Sequence, residues 1–431
     1  MPETKVSLDV TNLDNFVYDM SRCIKCKGCT WVDHTYMPGV KFSTRCPSAT
    51  RYLFDSYGAY GKMRIGLGIA ENRLDYSESY LKILYACTLC GACDVGCKRN
   101  LDLEIELTLE ALRINAVKEG RGPMPEHKTI AQNIATKHNA LGAPHQNRVK
   151  WLPQGIKAAT KAEVLYFVGC SASYTNPEIA QATVKILNAA GTPFMLMADE
   201  WCCGNILYSV GMIDEARELA KRNIESVRQT GATTLLTACA EGYRMWKVDT
   251  PKILNMSTAD LGFRVVHLVE YVDESIKNGD LKLNNRVDLR LTYHDSCSLS
   301  RLSEPWVAWH GERGLWGVVN PPLERRRGTN GVYQEPRDIL SSIPGIELVE
   351  TPRKRENTFC CGAGRGTKEA FPDFALWAAQ HKLAEVKDVG AEAVVSACPW
   401  CKNNFAQAIS KNGENLKALD ISELILASVG A

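Results

Sequence analysis

Seven of the seventeen cysteines in this chain of 431 residues fall into two short runs, "CIKCKGC" and "CTLCGACDVGCK". The first run supplies Cys23, Cys26 and Cys29. The second supplies Cys87, Cys90, Cys93 and Cys97 at the spacing C-x2-C-x2-C-x3-C, with Lys98 where proline is usual. A C-x2-C-x2-C loop curls around one corner of a cube and presents three thiolates to three metal ions, and the remote fourth cysteine serves a second cube. The first run has Asp33 where its fourth cysteine would stand, and Cys46-Pro47 follows later. Residues 30–45 are therefore read as an insertion within the motif, and Asp33 as an exposed loop carboxylate. Two [4Fe–4S] cubanes are expected, one on Cys23, Cys26, Cys29 and Cys97, the other on Cys87, Cys90, Cys93 and Cys46. Zinc would call for isolated C-x2-C pairs, which fits two triplets poorly.

A disulfide framework is the competing use of so many cysteines. The chain is long for one, the count is odd, and "MPETKVSLDV" has neither a basic run leading into an apolar one nor a twin arginine. A cytoplasmic protein with metal-binding thiols is expected. The 23% charged and 45% hydrophobic content is that of a globular chain. A net charge of +2 gives no overall field to favour nucleic acid or an anionic membrane. No apolar run approaches the length of a membrane span, so no direct membrane insertion is expected.

Between the cysteine runs, "SESYLKILYAC" and "LEIELTLEALRINAVKEG" place apolar residues at helical intervals. Residues 1–120 are read as a mostly α-helical domain, similar to the dicluster ferredoxin module of respiratory iron–sulfur subunits. Residues 121–160, rich in Pro, Gly, His and Asn, show no strong period and are read as a linker.

The remainder repeats one pattern, over 161–285 and again over 286–431. A strand leads to a cysteine (Cys170; Cys297), then helix, strand and a vicinal Cys-Cys-Gly (Cys202-Cys203-Gly204; Cys360-Cys361-Gly362). A helix and a last strand then deliver Cys239 or Cys398-Pro-Trp-Cys401. Alternating strands and helices predict an α/β layer with parallel strands and flanking helices in each copy. Cysteines at the carboxyl ends of the strands meet on one edge, where such sheets bind ligands. Adjacent cysteines in a strand point to opposite faces, so a pair serving one centre must lie in a turn, which the following glycine permits. "GAGRG", residues 362–366, lacks the Walker lysine and the dinucleotide fingerprint, and is read as a tight wrap around a metal centre.

Together, "YHDSC", "EPRDILSSIPGIELVE", "ENTFCCGAG" and "ACPWC" resemble the CCG-domain (cysteine-rich domain) iron–sulfur oxidoreductases over nearly the whole chain. That family includes the D-type catalytic subunit of heterodisulfide reductase, fused to a ferredoxin module. It also includes iron–sulfur subunits of glycolate oxidase and anaerobic glycerol-3-phosphate dehydrogenase, and heterodisulfide-reductase-like subunits of anaerobic complexes, among them those linked to benzoyl-CoA reduction. The resemblance implies a non-cubane [4Fe–4S] centre at Cys297, Cys360, Cys361, Cys398 and Cys401 as the reactive site. In the first copy Gly242 stands where a fifth ligand is usual. Cys170, Cys202, Cys203 and Cys239 are expected to hold a four-cysteine iron–sulfur cluster, with a structural zinc or an empty thiol group as the alternatives.

The function expected is electron transfer within a multi-subunit anaerobic oxidoreductase, with a flavoprotein or other iron–sulfur subunits as partners in a hetero-oligomer. Any membrane attachment would come through a partner. The alternatives are the iron–sulfur subunit of a flavin-dependent glycolate, lactate or glycerol-3-phosphate oxidase, and a zinc-stabilised scaffold without redox function. The segment following Cys297 holds Trp306, Trp309, Trp316 and the run Arg325-Arg326-Arg327. It is expected to pack its tryptophans on its own domain, a docking surface being the other reading. His294 is expected to be a strand-end residue or a hydrogen-bond donor to a cluster sulfur.

Overall fold

A computed structural model of the chain describes residues 4–33, 35–37, 39–98, 101–314, 317–323 and 326–429. Eleven strands are assigned among the described residues, β1 (Thr4–Ser7), β2 (Val164–Tyr166), β3 (Phe194–Met195), β4 (Thr234–Thr237), β5 (Arg264–His267), β6 (Leu289–Tyr293), β7 (His310–Arg313), β8 (Val319–Asn320), β9 (Ile346–Leu348), β10 (Ala393–Ser396) and β11 (Lys417–Asp420). Two four-stranded sheets, β3-β2-β4-β5 and β9-β6-β10-β11, are parallel throughout. Each runs 2-1-3-4 in its own strand order, so the two copies share one doubly wound topology. The predicted α/β layers are thus present, each with a fourth strand that the sequence pattern did not reveal.

The winding order brings the cysteines together. The chain reverses direction across the sheet between the first and third strands of each copy, and ligands gather at the carboxyl ends flanking that point. In the first copy those ends lead to Cys170 and Cys239, and in the second to Cys297 and Cys398. Both Cys-Cys-Gly turns have the glycine in the left-handed region, Gly204 at φ +86° and Gly362 at φ +90°. A β-carbon at 362 would stand 2.5 Å from the Ala375 carbonyl, so the turn also needs glycine's lack of bulk.

One core joins the inner faces of both sheets through residues such as Leu165, Leu235, Leu291 and Val395. A second core joins the N-terminal helices, among them Glu78–Tyr85 and Ile105–Lys118, to helix Ile213–Thr230 of the first copy. Apart from β1, the regular elements described in the first 120 residues are helices, in keeping with the mostly helical domain expected.

Residues 121–160 differ from the linker reading. They form a helix, Pro125–Lys137, whose Ile130 and Ile134 are buried, and they contribute buried Arg148 and Trp151. This helix is largely polar, so periodicity does not mark it, and only two apolar side chains are needed to seat it.

The segment after Cys297 also differs from the expectation. Its β7 pairs antiparallel with β1 at the chain's start and with β8. Trp306 and Trp309 are buried in the second core, against the N-terminal domain and the first copy rather than their own. The loop is a strap across three parts of the molecule. Trp316 and Arg325 lie outside the described residues.

The three parts are also joined by buried charges. Helix Ile105–Lys118 supplies Glu106 and Glu110. Arg244 of the first copy meets Glu106 at 2.8 Å, Glu110 at 3.0 Å and Asp249 at 3.0 Å. Lys252 meets Glu110 at 2.8 Å and Asp249 at 2.9 Å, and Arg365 of the second copy reaches Glu106 at 3.2 Å. Three cations thus face three carboxylates, all buried. Despite burial, Arg244, Lys252 and Arg365 hold the Glu106 carboxyl well below the usual range.

The chain's last helix, Ile421–Val429, starts with a capping box. The Asp420 carboxylate accepts from the Ser422 N–H at 3.0 Å, and Glu423 accepts from the Asp420 N–H at 2.8 Å. Burial pushes the Asp420 carboxyl up to about 7 from 3.8. A carboxyl raised in the folded state contributes stability that is complete below its unfolded value and is lost as pH rises through its folded value. Asp420→Asn keeps the accepting oxygen and cannot ionise. Its unfolding temperature is expected to fall less than the unsubstituted protein's between about pH 5 and pH 8, measured by scanning calorimetry. Equal slopes would refute the assignment.

Candidate iron–sulfur sites

All seventeen cysteines are free thiols, and they gather in four sets. Cys29 lies close enough to Cys46, Cys23 and Cys97 for their charges to interact, and Cys97 stands likewise toward Cys23 and Cys26. Cys46, Cys87, Cys90 and Cys93 line a single small cavity together with Lys62 and Glu106. Cys46 is carried there as the cap of helix Pro47–Tyr52, its sulfur 3.5 Å from the Ala49 N–H. Burial pushes the Cys29 and Cys97 thiols up to about 12 and Cys46 up to about 11. Burial therefore disfavours the bare thiolates, as suits donors whose charge a metal centre balances.

In the second copy the Cys361 and Cys401 sulfurs stand 3.1 Å apart, too far for a disulfide bond. The Ser296 hydroxyl is 3.4 Å from Cys401 Sγ. His294 joins Cys361 and Cys401 in one buried group whose donor atoms all lie within 4.8 Å, and its ring is edge-on to Phe405. Cys297 and Cys360 are in contact, and Cys398 lies beside Cys401.

In the first copy Cys170, Cys202, Cys203 and Cys239 line a cavity of about 140 Å³ with Glu241, Gly242, Arg365 and Trp400. A β-carbon on Gly242 would meet only ordinary contacts, Cys239 Cβ and Thr237 Oγ1 at 3.6 Å. Asn205, directly after the Cys-Cys-Gly turn, also lines this space. Both polar atoms of its side chain are buried without a hydrogen-bond partner, and the residue is only 3% exposed. An unsatisfied amide of this kind is costly and marks a place for a bound group.

The sets adjoin one another. Cys93 and Cys46 of the second set are near enough to Cys29 of the first for their charges to interact. Cys90 of the second set packs against Cys360 and Cys297 in a small apolar cluster of their own. Cys398 of the second copy lies beside Cys239 of the first, each shifting the other's ionisation.

Buried guanidinium groups hold these junctions. Arg301 donates to the Cys90 carbonyl at 2.6 Å and to the Thr358 carbonyl at 2.7 Å, fastening the two loops together. Arg365, within "GAGRG", donates to the Leu89 carbonyl and to Ser298 Oγ at 3.1 Å, and the same segment lines the first-copy cavity through Ala363, Arg365 and Gly366. Arg113 donates to the Cys87 carbonyl at 2.6 Å, and Arg148, paired with Glu200 at 2.7 Å, lies 3.8 Å from Cys170 Sγ. Sequence reasoning found none of these arginines, because their spacing to the cysteines carries no pattern.

Four thiol sets on a helical N-terminal region and two winding-related α/β domains define a multicentre iron–sulfur protein, and thiolate sets of four and five suit such clusters. The 4Fe–4S dicluster domain model matches residues 19–101, and the cysteine-rich domain (CCG) model matches 164–245 and 323–406. The chain is 33% identical over 440 residues to the D-type subunit of dihydromethanophenazine:CoB–CoM heterodisulfide reductase from Methanosarcina acetivorans, covering 100% of this chain and 99% of that one. It is 27% identical over 343 residues to a subunit of fumarate reductase (CoM/CoB) from Methanothermobacter marburgensis, covering 79% of this chain and 61% of that one. A hypothetical protein from Helicobacter pylori is similar in fold alone, at a TM-score of 0.51 and 10% identity, over 86% of this chain and 68% of that one. The chain belongs to the cysteine-rich-domain iron–sulfur family that contains the D-type subunit of heterodisulfide reductase. It is an iron–sulfur electron-transfer subunit carrying 4Fe–4S clusters, and its relatives are oxidoreductase subunits. Among the described residues, no helix is long and apolar enough to cross a membrane.

Proposed function

We propose that the four cysteine sets form one line of electron-transfer sites in a multi-subunit oxidoreductase, ending at a thiol–disulfide couple. Cys23, Cys26, Cys29 and Cys97 hold one cubane, and Cys46, Cys87, Cys90 and Cys93 hold the other. Cys297, Cys360, Cys361, Cys398 and Cys401 hold the non-cubane centre, and Cys170, Cys202, Cys203 and Cys239 hold a four-cysteine cluster. Such clusters, when bound, supply one-electron oxidation and reduction. The observation that carries the reading is the continuity of thiols, from Cys29 to Cys93, from Cys90 to Cys360, and from Cys398 to Cys239.

The chain's own residues keep that line intact. Arg301 and Arg365 pin the Cys90 loop against the second copy, fixing the separation on which electron transfer depends. Arg113, Arg301 and Arg365 place positive charge beside thiolates that burial would otherwise destabilise. The cavity at Gly242, lined by the first copy's set together with Arg365 and Trp400 of the second, is the place for the small acceptor, in contrast to the expectation that the second-copy centre is the reactive site. Ile130, Leu141 and Trp400 give it an apolar wall, and the Asn205 amide offers a donor and an acceptor to a bound polar group. The thiol–disulfide class comes from the CoB–CoM chemistry in the relatives' names. A flavoprotein or a further iron–sulfur subunit supplies the electrons.

Iron and acid-labile sulfide in anaerobically purified protein test the reading. About sixteen iron per chain is expected, four for each cluster. About twelve iron with one zinc would overturn the first-copy assignment. Gly242→Cys, which the structure accommodates, is expected to give that site a fifth thiolate and a changed paramagnetic resonance spectrum at the same iron content. An unchanged spectrum would mean that position 242 does not face the cluster.

A further inference from the structure

Cys26 is the one exposed cysteine of the seventeen. It sits at the end of the thiol line farthest from the Gly242 cavity, on a loop whose Lys25 and Lys27 are both in the left-handed region, at φ 57° and 62°. Lys27 Nζ meets Asp55 at 3.1 Å, which brings the 53–55 turn alongside. That turn shows Leu53 at 86% and Phe54 at 68% exposure, and Ile24 beside Cys26 is 68% exposed. Six of the ten exposed large hydrophobic side chains in the described structure (Ile24, Trp31, Tyr36, Val40, Leu53 and Phe54) fall between residues 24 and 54. Of these, Ile24, Leu53 and Phe54 lie beside the Cys26 loop, whereas the loop carrying the others packs Val32, Met37 and Phe42 toward helix Pro372–Asp388; apolar side chains grouped beside one site mark an interaction surface.

The charge around this patch is mainly positive. Residues 21–27 and 51–55 carry Arg22, Lys25, Lys27 and Arg51 against the single carboxylate of Asp55. Exposed Arg64 adds to them, its guanidinium donating to the Ser21 carbonyl at 3.3 Å. The whole chain is nearly neutral at +2, so this basic face is local.

We infer that this surface docks an acidic electron-carrier protein, one that rings its own cofactor with carboxylates around an apolar centre. The inference rests on the assignment of a cubane to Cys23, Cys26, Cys29 and Cys97. The lysines and arginines steer and orient the partner, and Ile24, Leu53 and Phe54 form the contact that excludes water beside Cys26. An anionic membrane and a second copy of this chain are the other occupants that a basic apolar patch admits, and the experiment separates them.

The probe is a small acidic ferredoxin, and the protein is the full chain with its clusters. Iron, sulfide and paramagnetic resonance are measured on the same preparation, so loss of the cubane reading is seen separately from loss of docking. Carbodiimide cross-linking, mapped by mass spectrometry, is expected to join ferredoxin carboxylates to Lys25 and Lys27. Binding by surface plasmon resonance is expected to weaken at least about tenfold between about 50 and 500 mM salt. It is expected to weaken similarly in Lys25→Glu and in the double variant Leu53→Ser with Phe54→Ser. Reduction of the clusters by methyl viologen, which needs no docking face, is expected to be unchanged in both variants. Cross-links that map elsewhere, or full affinity in both variants, would overturn the inference. So would binding of the chain to anionic vesicles, or its dimerisation, when either is lost in the same variants while ferredoxin binding persists.

Discussion

Replacement of Cys361 by alanine is expected to abolish turnover and remove about four iron per chain, while both cubane signals persist. Cys361 is buried, its sulfur 3.1 Å from Cys401 and grouped with His294. It belongs to the turn that Gly362 makes possible, and none of the eight N-terminal cysteines shares that turn. The nearest junction runs through Cys90 and Cys360, one residue away, so the cubane donors keep their own loops. Cys361→Ser preserves volume and polarity and serves as the second variant. Cubane signals that vanish with the non-cubane one would contradict the separation of donor sets. A non-cubane signal that survives in both variants would remove Cys361 from the site.

Arg244→Ala is expected to lower unfolding stability by about 3–5 kcal/mol, the cost of leaving buried carboxylates unpaired. Arg244 pairs with Glu106, Glu110 and Asp249, and its removal leaves three carboxylates facing two cations. Because the group is buried, added salt should not rescue it. Arg244→Met combined with Glu110→Gln leaves two of each sign and is expected to recover part of the loss. Urea unfolding followed by far-ultraviolet circular dichroism measures both. A midpoint for Arg244→Ala equal to that of the unsubstituted protein would show that the network contributes nothing net. The network also links helix Ile105–Lys118 to both α/β copies, so the variant is expected to loosen the contact between Cys90 and Cys360.

Much of the site was legible because its donors are local. Three cysteines at C-x2-C-x2-C are within one loop's reach, and a glycine after a vicinal pair announces the turn that aims both sulfurs at one centre. The repeat was legible for a similar reason, since each strand leading to a cysteine is mainly apolar and largely buried. The fourth strands escaped notice because each opens on an exposed charge, Arg264 or Lys417, and runs for four residues. Helix Pro125–Lys137 escaped because a polar helix seated by two isoleucines carries little periodicity.

From its sequence alone, then, this chain determined that its cysteines recur in short runs and vicinal pairs and that an α/β unit occurs twice, because those features depend on neighbours within a few tens of residues. Only the tertiary structure decided the order in which the sets adjoin. Cys90 meets Cys360 and Cys239 meets Cys398 across long stretches of chain, and Arg301, Arg365 and Arg244 close those junctions from distant elements. It also decided that Trp306 and Trp309 strap the second copy onto the N-terminal domain. Contacts of that kind are made by packing and by burial of paired charge, and a linear spacing of residue types does not encode either.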